Sequence, residues 1–383
     1  MLESPFKYGT TVSGGAFTDR EDSAQKLYDN LTQGINTLII SPRRWGKSSL
    51  VDKVCQEIED QTSGIRVVQM DLFSAENELE FLELFAREVI RASSGKWEDW
   101  VRSTKEFFKQ LIPKLTLGVD PTSDFSLSFD WDELRKHQDE ILQLPERMAQ
   151  KKNCRFVICI DEFQNLANFQ DYEVLEKKMR AVWQRQKHVS YCLYGSKRHM
   201  MTEIFSQPGR PFYRFGDLMH LSKISREHWV TFIEQNFERT GKKIEKDCAE
   251  LIPKLMKDHS WYVQQLAHYT WQKTKKKANK NELNAALKEL IYANSPLYLK
   301  EIDSISKTQL NLLKAIVQGE QHLTSVHTMS EYRLGTPRNV AKNRDKLLEE
   351  DLIHQGEEGL ELLDPAFELW FRKQFFGVSF ELS

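Results

Sequence analysis

Apolar residues in this chain occur either as short unbroken runs or as stripes at helical spacing. Leu38-Ile39-Ile40 and Phe156-Val157-Ile158-Cys159-Ile160 are unbroken runs, the pattern of central parallel strands covered on both faces. Ile65-Arg66-Val67-Val68-Gln69-Met70-Asp71 alternates before polar residues, and Val189-Ser190-Tyr191-Cys192-Leu193-Tyr194 closes in Gly195-Ser196. Both read as further strands. Helical patterns separate the runs. One helix is expected from Phe17-Thr18-Asp19-Arg20-Glu21 to about residue 34, and a second over residues 47–58. A third covers residues 78–92, where Leu79, Leu82, Phe85, Ala86, Val89 and Ile90 share a face. Residues 132–151 and 172–187 continue the series. Strands alternating with helices predict an α/β fold built on a parallel sheet.

Two regions break this rhythm. Residues 93–130 read as an insertion: a helix over 97–111, then two alternating segments, 114–119 and 124–129, separated by Asp120-Pro121-Thr122-Ser123. That is a β-hairpin pattern, suited to covering a sheet edge or meeting a partner. From Ser225 to about Asn294 the chain is helical and polar, and its basic run over 272–280 reads as a solvated helix end.

Residues 300–383 change character again. A helix over 309–318 precedes a short helix that follows Leu323-Thr324-Ser325-Val326. Thr336 is a good N-cap and Pro337 suits the first helical position. The helix they open runs to Glu350 and buries Val340, Leu347 and Leu348. Leu352-Ile353-His354 and Leu360-Glu361-Leu362-Leu363, joined through Gly356-Glu357-Glu358-Gly359, form a two-stranded wing. The order is that of a winged helix-turn-helix. Arg338, Lys342, Arg344 and Lys346 make its second helix basic, while the wing is acidic, so DNA contact and protein contact both stay open. The expected domains are 1–222, 223–298 and 299–383.

The candidate chemistry is concentrated after two strands. Ser41-Pro42-Arg43-Arg44-Trp45-Gly46-Lys47-Ser48-Ser49 follows Ile40 and reads as a phosphate-binding loop. Gly46 lets the backbone approach a phosphate. The first amides of the helix that follows have no intrahelical partner and point at the anion. Lys47 supplies a point charge for the outer phosphates, and Ser48 offers a hydroxyl to Mg²⁺. The pattern asks for glycine where this chain has Ser41, so the first turn is made without one. Asp161 and Glu162 end the second strand, at the rim where open α/β sheets bind ligands. Asp161 is the candidate for Mg²⁺, and Glu162 for orienting or deprotonating an attacking water. Ser196, at a further strand end, is a candidate γ-phosphate sensor. Arg210 and Arg214 are candidates for neutralising transition-state charge.

Composition narrows the classes. A chain of 383 residues with 40 % hydrophobic and 29 % charged residues fits a globular protein of more than one domain. No run of about 18 apolar residues exists, so no membrane span is expected. Met1-Leu2-Glu3-Ser4-Pro5-Phe6-Lys7 lacks an apolar signal core, so export is not expected. Cys55, Cys154, Cys159, Cys192 and Cys248 have no Cys-x-x-Cys spacing and read as thiols in a reducing cytoplasm. The histidines make no metal-ligand pattern. A net charge of −2 exerts no global pull on nucleic acid.

Together these residues resemble the prokaryotic P-loop ATPases of the archaeal-ATPase and STAND type, relatives of AAA+ proteins. The resemblance runs through Phe17-Thr18-Asp19-Arg20-Glu21, the loop ending Gly46-Lys47-Ser48, and Ile160-Asp161-Glu162-Phe163-Gln164. It continues through Gly195-Ser196, Pro211-Phe212-Tyr213, His259-Ser260-Trp261-Tyr262 and Asp364-Pro365-Ala366-Phe367. It implies a P-loop NTPase core, a helical lid over 223–298 and a C-terminal winged helix, with ATP and Mg²⁺ as ligands. It also implies that His259 contacts nucleotide from the lid. Ser260 stands where many relatives carry proline. The arginine often found two residues after Pro-x-Tyr falls on Phe215, with Arg214 one place early. The leading expectation is an ATP-dependent switch or slow ATPase, with nucleotide between core and lid. The alternatives are a DNA-binding regulator that uses ATP as an allosteric ligand, and a ring-forming DNA motor. Expected partners are ATP, further copies of this chain when nucleotide is bound, and DNA or a protein client at the winged helix.

Overall fold

The computed structural model describes residues 3–9, 20–93, 136–356, 359–380 and 382. The expected helix over 97–111, the hairpin, Phe17-Thr18-Asp19, the start of the 132–151 helix and Glu357-Glu358 lie outside them. The chain divides into two compact units. One comprises Glu21–Arg43 and Lys47–Ser222; the other comprises Met1–Arg20, Arg44–Gly46 and Lys223–Ser383. Each has its own apolar core.

The first unit is a five-stranded parallel sheet with helices. Its strands are β1 (Thr37–Ile40), β2 (Ile65–Asp71), β3 (Arg155–Asp161), β4 (Val189–Gly195) and β5 (Asp217–His220). Their order is β2-β3-β4-β1-β5. All seven residues of β4 and all four of β1 are buried, as expected of strands covered on both faces. The register aligns the carboxyl ends that matter: Ile40 lies opposite Gly195, and Ile160 opposite Leu193. β4 therefore separates the strand that feeds the phosphate loop from the strand that ends in Asp161.

The helices of this unit are α1 (Glu21–Gln33), α2 (Lys47–Gln61), α3 (Glu78–Ala92), α4 (Gln138–Leu142), α5 (Leu144–Lys152), α6 (Tyr172–Trp183) and α7 (Arg198–Ser206). α3 matches its apolar stripe, and Asn77 caps it by accepting from the amides of Leu79 and Glu80. The helix expected to run unbroken to residue 151 is two helices instead, parted at Gln143. Pro145 is the cause: it has no amide to continue the ladder and serves as an early residue of α5. Trp183 ends α6 and stacks on Tyr191 at 4.1 Å, four residues short of the expected end. Phe212 and Phe215 pack around the same indole at 6.0 and 6.4 Å, which anchors the loop that carries Arg210 and Arg214.

In the other unit, α8 (Arg226–Arg239), α9 (Lys246–Leu255), α10 (Ser260–Lys273) and the long α11 (Lys280–Ser304) precede α12 (Lys307–Val317), α13 (Val326–Glu331) and α14 (Pro337–Glu349). Part of the basic run is not a helix end. Lys277–Ala278 forms a short strand, β7, parallel to β6 (Lys243–Ile244), and Ala278 is fully buried. α11 runs through residue 298 without a break and starts with a capping box between Asn279 and Glu282. A second box, Ser306 with Gln309, opens α12. Thr336 caps α14 as expected, by accepting from the Asn339 amide. β8 (Ile353–Gln355) and β9 (Leu360–Leu362) pair antiparallel as the wing, and α15 (Pro365–Phe376) closes the unit.

Candidate functional site

The turn after β1 is made by Arg44 and Gly46, at φ 64° and 89°, and Ser41 is not among the residues with positive φ. The glycine missing at position 41 is therefore not needed for backbone reasons. Ser41 is buried and its hydroxyl donates to the Pro42 carbonyl at 3.1 Å. At Gly46 the left-handed backbone is what requires glycine, because an added Cβ would meet nothing within 4 Å. That face of the loop is open to a ligand.

Lys47 is the first residue of α2 and only 5 % exposed. Burial depresses its pKa, while the charges of Asp161 and Glu162 pull the other way. The Ser48 hydroxyl donates to Asp161 Oδ2 at 2.9 Å. Burial pushes Asp161 up to about 6, against the pull of Lys47, the Glu162 amide and Ser48. The Glu162 amide donates to Asp161 Oδ1 at 2.7 Å, a contact made at a left-handed φ of 49°. That conformation swings the Glu162 side chain away from Asp161 toward the end of β4. There it accepts from the Ser196 hydroxyl at 2.8 Å and from the Gln164 side-chain amide. Burial raises its pKa, but Gln164, Ser196 and Lys47 outweigh it, so Glu162 stays below the usual carboxylate range.

Five of the expected site residues thus converge: Lys47, Ser48, Asp161, Glu162 and Ser196. One buried cation faces two carboxylates beside two hydroxyls. Pro42 is buried in the loop and Ser49 in the first turn of α2, and Arg43 is exposed on the loop. No group of three or more His, Cys, Asp or Glu side chains among the described residues could hold a metal by itself. Ser48 and Asp161 nonetheless present two hard oxygen donors side by side. That suits Mg²⁺, which takes one or two protein oxygens and completes its shell with water and phosphate.

Other expected residues are engaged as follows. Arg44 donates to the Tyr262 hydroxyl at 2.9 Å and lies 4.8 Å from the Trp261 ring centroid. His259 is 4 % exposed, edge-on to Trp45 at 6.4 Å. Burial, helped by Arg44 and Lys223, drives His259 down to about 3, so it is neutral, and its Nδ1 has no hydrogen-bond partner among the described residues. Arg210 is tied to Glu203 at 3.0 Å and to the Tyr172 hydroxyl at 3.2 Å. Arg214 is exposed, at φ 54°, with its guanidinium over the Tyr213 ring. Neither arginine contacts the converging set among the described interactions. The residue that sequence reasoning missed is Gln164. It was visible two places after Glu162, but only the 3₁₀ turn Phe163–Asn168 brings its amide back onto that carboxylate.

On α14, Arg338 and Lys342 are exposed, whereas Arg344 pairs with Asp345 at 2.8 Å and Lys346 with Glu350 at 3.7 Å.

Residues 296–373 match the family described as a probable winged helix domain. No curated protein sequence matches the chain. Among solved structures it is similar to a Walker-type ATPase of Pyrococcus abyssi, with a TM-score of 0.68 at 15 % identity, over 96 % of this chain and 99 % of that one. It is similar to the ORC2 protein of Aeropyrum pernix, solved as ADPNP–ADP complexes, with a TM-score of 0.57 at 14 % identity over 97 % and 99 % of the two chains. The ORC1 protein of the same organism, solved in complex with DNA, gives 0.51 at 13 % identity over 98 % and 99 %. The parallel sheet, the loop that follows its β1 strand and the C-terminal winged helix together are the fold of the AAA+-like P-loop ATPases.

Proposed function

We propose that this protein binds ATP with Mg²⁺ and hydrolyses it slowly, as a switch. The observation that carries this reading is the convergence of Lys47, Ser48, Asp161 and Glu162 at the carboxyl ends of β1 and β3. In it the loop amides and Lys47 hold the outer phosphates. Ser48 and Asp161 would hold Mg²⁺, whose charge would offset that of the phosphates. Glu162 takes a proton from the water that attacks the γ-phosphorus, as the bond to the leaving ADP oxygen breaks. Arg214, exposed with its guanidinium over the Tyr213 ring, is the better placed of the two arginines to meet phosphate, because Arg210 is already engaged. Melting the protein with and without millimolar ATP–Mg²⁺ tests the reading. A raised melting temperature is expected, and an unchanged one removes it.

A second reading concerns the winged helix. Arg338 and Lys342 are one turn apart and exposed, and a neighbour of similar fold was solved with DNA. In that reading ATP is an allosteric ligand of a DNA-binding regulator. Hydrolysis measured with and without DNA separates the two.

A further inference from the structure

Every hydrogen bond that the Glu162 carboxylate receives among the described residues ends on one oxygen, Oε2. The donors are the Gln164 amide, the Ser196 hydroxyl at 2.8 Å and the Ser196 backbone amide at 3.4 Å. Oε1 is left to act on a substrate water.

The seat of Gln164 is built for it. Gln164 is 1 % exposed. A Cβ at Gly195 would lie 1.8 Å from Gln164 Oε1 and 2.9 Å from Met201 Sδ. Gly195 ends β4 without a positive φ, so its backbone does not demand glycine. The missing Cβ is what admits the Gln164 side chain. Among the described residues Gln164 Oε1 has no hydrogen-bond partner, so the buried amide is engaged through its nitrogen. A buried polar atom left unpaired costs stability, which fits a side chain kept for a role other than packing.

We propose that Gln164, admitted by Gly195, is the positioning residue that holds Glu162 by Oε2 and so aims Oε1 at the attacking water. The inference rests on the ATPase reading above. Its physical core is a count of protons. The Ser196 hydroxyl has one proton to donate. If that proton goes to a terminal phosphate, it leaves Oε2. Gln164 is then the side-chain donor that keeps the carboxylate in place.

The test compares parent, Gln164→Leu, Gly195→Ala and the double variant for ATP hydrolysis, nucleotide affinity and melting temperature. Gln164→Leu keeps the bulk and removes the donor. It is expected to lower kcat about 10- to 100-fold, the scale of a small misplacement of a reacting group, with nucleotide affinity and melting temperature near the parent's. Gly195→Ala is expected to reproduce that loss in the parent background, and to add little on top of Gln164→Leu, because both act through one amide. A Gln164→Leu protein with the parent's kcat overturns the proposal, as does a loss of affinity equal to the loss of rate. Should Gly195→Ala not fold, the Gln164→Leu comparison decides alone. A parent that binds ATP but never hydrolyses it overturns the ATPase reading and this role with it, an outcome distinct from a hydrolysing parent indifferent to Gln164.

Discussion

The rim of the parallel sheet and the outer face of α14 both carry clustered charge, held in opposite ways. At the rim, Lys47 is almost fully buried against Asp161 and Glu162, and each carboxylate accepts hydrogen bonds from neighbouring residues. On α14 the basic side chains are exposed, and two of the four are paired with acidic neighbours. Burying charge is costly and persists where geometry repeatedly compensates it. Exposed pairs contribute about 0–1 kcal/mol and constrain little. The rim thus holds its charges in one arrangement, and on α14 only Arg338 and Lys342 have no acidic partner among the described residues.

The strongest way to break this contrast is Glu162→Gln. The amide keeps the shape and cannot accept a proton, so hydrolysis is expected to fall about 10²- to 10⁴-fold while ATP stays bound. Hydrolysis at the parental rate, measured by phosphate release, would take Glu162 out of the chemistry.

Lys47→Ala comes next. At 100 times its dissociation constant ATP–Mg²⁺ stabilises a protein by about 2.7 kcal/mol, on the order of 5 °C for a unit of this size. The variant should lose that shift. A melting curve that still moves with ATP–Mg²⁺ would place the nucleotide away from the rim.

Glu176 sharpens the comparison, since it is a buried carboxylate away from the rim. It is 0 % exposed, neither oxygen has a hydrogen-bond partner among the described residues, and Arg210 comes no nearer than 4.0 Å. Burial pushes it up to about 7 from 4.5, with Arg210 opposing. The folded-state pKa is raised, so as pH rises from about 4.5 the unfolded chain sheds a proton that the folded protein keeps. Stability is therefore lost progressively up to about pH 7 and does not return above it. Glu176→Gln should match the parent at pH 4 and exceed it at pH 8 by about 3 kcal/mol. Equal denaturant midpoints at both pH values would mean that Glu176 is ionised and satisfied.

The smallest effect is expected on α14. If it meets DNA, replacing Arg338 and Lys342 with alanine should lower the log–log salt slope by about 0.9 for each lost phosphate contact. Replacing Arg344 and Lys346 should change it less, because their charges are already paired. A salt titration with equal losses for both pairs would show that the ion pairs open on binding. No change for either pair would move this surface to a protein contact.

Much of the rim was legible beforehand because its chemistry is contiguous. Gly46-Lys47-Ser48 is a local motif, and Asp161-Glu162 closes an apolar run whose burial on both faces forces a central parallel strand. The winged helix was legible for a similar reason, through Thr336-Pro337 and the spacing of Val340 and Leu347. The short edge strand β5 was not, since four residues, Asp217-Leu218-Met219-His220, carry no periodicity. Nor was the break at Gln143, where Pro145 outweighed a continuous helical stripe.

Local order along the chain thus specified most of the strands and helices, the Gly46-Lys47-Ser48 turn after β1 and the carboxylates that close β3, since strand burial and helix capping depend on near neighbours. Long-range packing settled the rest. Glu162 turns toward Ser196 because its φ is 49° and β4 lies next to β3. Gln164 reaches it because Gly195, 31 positions later in sequence, lacks a Cβ. Arg210 is drawn to Glu203 and Tyr172, while Arg214 is left at the surface. Such contacts join residues far apart in the chain, and no pattern of near neighbours encodes which of two similar side chains a distant partner will capture.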